Sequence, residues 1–136
     1  MNELEILMRA EAKKKAIEKD TTEKLQKVET EKARKWKKET LEKLSFLKDY
    51  GCEFDKDRTT IGTIYVHPKE HGTIKIELPW DMDFTEVVSK RITKYDLDKP
   101  LRISWQYDMC GGDESSLSLE EFVKGLVRRG IIKMEG

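Results

Sequence analysis

Apolar and polar residues alternate over positions 73–80, putting Ile74, Ile76, Leu78 and Trp80 on one face and Lys75 and Glu77 on the other. A period of two is that of a half-buried strand. Before it, residues 59–67 are rich in Thr, Ile, Tyr and Val, and the intervening His67-Pro68-Lys69-Glu70-His71-Gly72 reads as a hairpin loop. Leu101, Ile103, Trp105 and Tyr107 alternate with Arg102, Ser104 and Gln106, which predicts a third strand. Elsewhere the period changes to 3.6. Phe84, Val87, Val88, Ile92 and Tyr95 follow the capping box Asp83-Phe84-Thr85-Glu86, and Leu119, Phe122, Val123, Leu126 and Val127 follow Ser118-Leu119-Glu120-Glu121, so each set predicts a helix. Gly130 is placed to end the second of these, a short edge strand is expected over 52–54, and residues 131–134 are expected to form a closing strand. Gly111-Gly112 and the small polar residues around them mark 109–116 as a flexible loop.

The first fifty residues differ in kind. They contain neither Gly nor Pro and are dominated by Glu, Lys, Leu and Ala, a strongly helical composition. Asp20-Thr21-Thr22-Glu23 reads as a capping box, which predicts one helix over 2–19 and a second over 21–49; a single rod of about 70 Å is the competing reading. Leu4, Leu7, Met8, Ala12 and Ala16 make a thin apolar stripe and Leu25, Val28 and Trp36 a thinner one. Lys and Glu fall where a heptad seam should continue, which argues against a long coiled coil. The dense apolar patch is Leu41, Leu44, Phe46 and Leu47, so the second helix is expected to dock by its C-terminal end until Gly51 stops it.

The expected fold class is α+β. A long charged N-terminal helical arm, of one or two helices (1–49), precedes a compact two-layer α/β sandwich (50–136) of order β-β-α-β-α. The central helix would cross over between strands 73–80 and 101–107, right-handed if those strands are parallel.

Charge adds an asymmetry. Charged residues make up 40% of the chain and hydrophobic ones 37%; the formal net charge is zero, with 14 Lys/Arg against 10 Asp/Glu over 1–48 and the opposite excess beyond. This is far from the basicity of a dedicated nucleic-acid binder and from the acidity of a DNA mimic. No apolar signal segment or membrane span is apparent, so Cys52 and Cys110 are expected to be reduced thiols in a cytoplasm. With His67 and His71 they could make a Cys2His2 zinc set, but the ligands come from three segments without a Cys-x-x-Cys pair, and no metal or other cofactor is expected. Residues 117–122 echo the end of a calcium loop, yet Cys110, Gly112 and Ser115 occupy positions that need carboxylates and a glycine; a helix N-cap is the better reading. Asp81, Asp83 and Glu86 gather near Glu77 without the carboxylate-lysine order of a nuclease, and no nucleophile-base pair or phosphate-cradling loop is present. The chain does not read as an enzyme.

The strongest candidate site is basic. Lys32, Arg34, Lys35, Lys37 and Lys38 surround Trp36, a combination that could release counterions from phosphate and stack an indole on a base, or simply be a solvated helix with Trp36 as an anchor.

In size, in its Lys/Glu-rich style and in the strand, helix, strand run from Gly72 to Trp105, the chain resembles the small accessory proteins of bacteriophages and mobile elements, among them the anti-CRISPR inhibitors. That resemblance implies inhibition of a host nuclease complex by occlusion, without catalysis, in the host cytoplasm. The expected partner is a protein or ribonucleoprotein, met through the helical arm. The alternatives are a structural or assembly protein of a virion and a nucleic-acid-binding accessory protein using the basic face, and the arm also offers a route to a homodimer.

Overall fold

The computed structural model describes residues 2–55, 61–69, 72–85, 90–107 and 110–134. The chain is mixed α+β: a long N-terminal helix, antiparallel sheets and a short C-terminal helix. Helix α1 (Glu3–Leu44) runs into a 3-10 turn (Ser45–Tyr50), and Gly51, at φ 86°, ends it in the left-handed conformation expected of a C-terminal glycine. Strands β1 (Cys52–Phe54), β2 (Thr63–Pro68), β3 (Thr73–Glu77), β4 (Trp80–Thr85), β5 (Lys90–Tyr95), β6 (Leu101–Tyr107) and β7 (Cys110–Leu117) follow, and helix α2 (Leu119–Arg128) comes last.

Five strands form one antiparallel sheet in the order β1-β2-β3-β6-β7. Register decides its faces: Val66, Ile74 and Trp105 lie side by side in one row and Ile64, Ile76 and Ile103 in the next, all buried. Tyr65, Lys75 and Ser104 make up a row of the opposite face. The apolar face is closed by Ala33 and Leu44 of α1, Leu47 of the 3-10 turn and Phe122 and Leu126 of α2, which join the same core. Leu101, Ile131 and Ile132 complete it.

The β2–β3 hairpin, the edge strand β1, the strand β6 and the helix α2 agree with the sequence pattern. Ser118 caps α2 with its side chain, accepting from the Glu121 amide at 3.2 Å, and Gly130 follows at φ 72°.

Four expectations are corrected. The helix expected from the box at 83–86 is instead the antiparallel hairpin β4–β5, with residues 86–89 outside the described set. Its partners explain the change, since Trp80 lies opposite Tyr95 and Asp81 opposite Lys94, favourable cross-strand pairs that only long-range pairing reveals. The order strand, strand, helix, strand, helix therefore fails, and so does the crossover: β3 and β6 are antiparallel neighbours with the hairpin inserted between them. The glycine-rich stretch expected as a loop is β7, an edge strand whose pairing with β6 asks nothing of its side chains. Residues 131–134 form no strand; the amides of Ile131 and Ile132 donate instead to the Leu126 carbonyl, folding the chain back over α2.

The fourth correction concerns the arm, which is one helix of 42 residues, about 63 Å long. At the supposed break the Thr21 and Thr22 hydroxyls donate to the carbonyls of Ile17 and Glu18, both at 2.9 Å, and Lys24 pairs with Asp20 at 3.0 Å. Residues that would cap a new helix thus find partners inside the existing one.

Candidate interaction face on the long helix

From residue 2 to 17 every residue except Glu5 is exposed, so the first four turns of α1 project from the body. Asn2 caps the helix by accepting from the Glu5 amide at 2.8 Å, and Glu5 pairs with Arg9 at 3.2 Å. From Thr22 onward one stripe turns inward: Thr22, Ala33, Thr40 and Leu44 are buried, and Trp36 and Leu41 pack against the core.

This phase divides the basic cluster. Successive residues turn by about 100° around a helix, so a cluster contiguous in sequence cannot be contiguous on one face. Trp36 lies on the inward stripe, half-buried against the core. Lys32 is also committed: its ammonium donates to the Tyr95 carbonyl at 2.7 Å and pairs with Glu29 at 3.0 Å. Lys37 is half-buried on the flank of the stripe, and Arg34, Lys35 and Lys38 are exposed on the far side. The six residues thus separate into an anchor and a ridge. Stacking of Trp36 on a base would require it to leave the core.

Glu29 was not legible as functional in the sequence. Its Oε2 accepts from the Tyr95 amide at 2.9 Å, so Glu29 and Lys32 together hold both backbone groups of the last residue of β5. Gly62 lets the Tyr95 ring come close, because a Cβ there would run into it. Burial, then the charges of Glu29 and Glu77, push the Tyr95 phenol above its ordinary value. The sequence signal for Glu29 is its spacing of four and seven from Ala33 and Trp36, which puts it on the inward stripe.

The other candidate chemistry disperses. Cys52 is a buried free thiol raised by desolvation, and it shares its face with Pro68. His67 is on the opposite face, beside Thr73 at 3.2 Å and Asp55 at 3.4 Å, so it ties β2 to its neighbours instead of meeting Cys52. His71 and the side chain of Cys110 lie outside the described residues. Glu77 accepts from the Trp80 indole at 2.6 Å, and Asp81 approaches Lys99 at 3.9 Å; the side chains of Asp83 and Glu86 are outside the described set. Among the described residues no three His, Cys, Asp or Glu side chains converge as a metal site, and no helix is long and apolar enough to cross a membrane. A hollow of ≈ 750 Å³ beside β1 is lined by Lys48, Glu53, His67 and Lys69, and an apolar one of ≈ 290 Å³ lies between the 3-10 turn and α2.

Compared with protein-family models, with curated proteins and with solved structures, the chain matches none.

Proposed function

We propose that this is a non-catalytic binding protein that meets a macromolecular partner through α1 and, in keeping with its outline resemblance to phage-encoded inhibitors, occludes a surface of a host defence nuclease complex. The observation that carries the reading is the ridge. Because Ala33, Trp36, Thr40 and Leu44 fix one side of the helix in the core, Arg34, Lys35 and Lys38 are held outward on a rigid support. A charged surface of this kind steers an acidic partner during encounter, and pre-organisation lowers the entropy lost on binding.

A protein surface is favoured over a bare nucleic acid. Trp36 is engaged in the core, and the exposed Glu31 and Glu42 on the same side of the helix dilute the phosphate-binding character of the ridge. The test is the triple variant Arg34→Glu, Lys35→Glu, Lys38→Glu. It should melt within about 2 °C of the wild type, because exposed charges contribute little to folding. Wild-type protein immobilised in a lysate of its source cells should retain a partner that the triple variant loses, with association slowed by added salt. Equal retention by both would overturn the ridge as the binding surface.

A further inference from the structure

We infer that α1 pairs with α1 of a second copy as an antiparallel coiled coil centred on Ala16. Leu4, Leu7, Ile17, Leu25 and Val28 are 75%, 64%, 64%, 40% and 59% exposed, an apolar load that the described residues of the single chain leave largely uncovered. Taken with a seven-residue repeat from Leu4, Leu7, Leu25 and Val28 all fall on the a and d seam, and the positions between them are Glu11, Lys14, Glu18 and Thr21. A parallel pair would set Glu11, Lys14 and Glu18 each against its own copy, and that is the sense in which the heptad fails.

Reversing one helix removes the conflict. About Ala16, Leu4 falls opposite Val28, Leu7 opposite Leu25, Glu11 opposite Thr21 and Lys14 opposite Glu18, each pair occurring twice by symmetry. The two residues of every pair are equally distant from the centre and occupy one a and one d position, as antiparallel packing requires. Ile17 meets its own copy on one flank. Lys15 meets its own copy on the other, where Glu11 and Glu18 lie within a turn and offset the repulsion. A surface that is complementary to itself under a two-fold rotation is the mark of an isologous interface, which identifies the occupant as a second copy. Covering the five exposed side chains on both copies removes on the order of 1,000 Å² of apolar surface, near the lower limit for a specific interface.

The register leaves the ridge free. Residues beyond 29 extend past the partner helix, so two copies of Arg34, Lys35 and Lys38 would face outward about 60 Å apart, one at each end of the pair. The dimer and the binding ridge use different residues, and either can fail without the other.

Sedimentation equilibrium of the full chain should give twice the 16.0 kDa mass at micromolar concentration. Lys14→Glu and Glu18→Lys should each raise the dissociation constant roughly tenfold or more, since each sets like charges across the seam, and an equimolar mixture of the two should recover tight pairing. Orientation is read by cross-linking: Leu7→Cys mixed with Leu25→Cys should form a disulfide-linked pair, whereas Leu7→Cys alone should not link to itself. Leu7, Lys14 and Leu25 are exposed and Glu18, half-buried, lies outside the core, so the variants keep the body folded, which a urea melt of each one checks. A monomer throughout the micromolar range, a larger assembly, or self-linking of Leu7→Cys would overturn the proposal.

Discussion

Trp105 sits at the meeting point of sheet and helix, fully buried and stacked on Phe122 with ring centres 5.6 Å apart and planes at 26°. The Arg129 guanidinium covers its ring at 4.3 Å from the centroid, and its indole N–H has no hydrogen-bond partner among the described residues. Burying that donor costs roughly 1–3 kcal/mol, so contacts with the ring have to offset it. One of those contacts depends on a missing side chain: a Cβ at Gly125 would lie 3.1 and 3.2 Å from two ring carbons of Trp105. Gly125→Ala therefore sets two effects against each other. Alanine favours the helix by about 1 kcal/mol, whereas overpacking a ring held on both sides costs about 1–3 kcal/mol. The expected outcome is a net loss of about 1 kcal/mol, seen as a lower urea midpoint at unchanged slope. A gain in stability would mean that the ring has room to move.

Among the elements, the clamp between α1 and β5 makes the clearest prediction. Glu29→Ala leaves the Tyr95 amide without its acceptor and Lys32 with the Tyr95 carbonyl but without its carboxylate, and should destabilise the protein by about 1–2 kcal/mol. Glu29→Gln keeps an acceptor but removes one of the charges that raise the Tyr95 phenol. The unfolded chain gives up this proton near the ordinary tyrosine value and the folded chain only above it. The folded state is therefore fully favoured below about pH 10 and loses stability as pH rises beyond it. Urea midpoints from about pH 9 to 11 should fall less steeply for Glu29→Gln than for the wild type, and a parallel fall would separate Glu29 from the titration. Elements whose signals are local were legible in the sequence: α2 through Ser118 and Gly130, and β2 with β3 through alternation around a turn. The hairpin β4–β5 was not, because Phe84, Val87, Val88, Ile92 and Tyr95 satisfy a helical period by coincidence, while what selects the strand form is pairing across the hairpin and support from α1. Strand β7 was hidden by its glycines, since an edge strand can be specified by its neighbour's backbone alone. The basic cluster was read as six residues together, with Trp36 either a stacking residue or an anchor; its division was legible only in the phase of Trp36 with Ala33, Thr40 and Leu44, which turns it inward and leaves Arg34, Lys35 and Lys38 exposed.

On the scale of the whole molecule, α1 belongs to two regimes. Its second half shares the core with the sheet and α2, and should open only when the body unfolds. Residues 2–17 have, among the described residues, only the helix's own turns to hold them: Glu5 with Arg9 contributes about 0.2–0.5 kcal/mol, and an isolated helix of this length is marginal in water. Hydrogen exchange followed by mass spectrometry separates the two. At concentrations low enough to keep the chain monomeric, amides over 7–17 should exchange close to the rate of an unstructured peptide, while those over 26–44 should be as protected as β3 and β6. Raising the concentration should extend protection toward the N-terminus without altering the body, because a paired arm gains the contacts that a single arm lacks. Exchange equally slow along all of α1 in the dilute chain would mean that the arm is stable by itself, and its exposed leucines would then no longer need a second copy to order them.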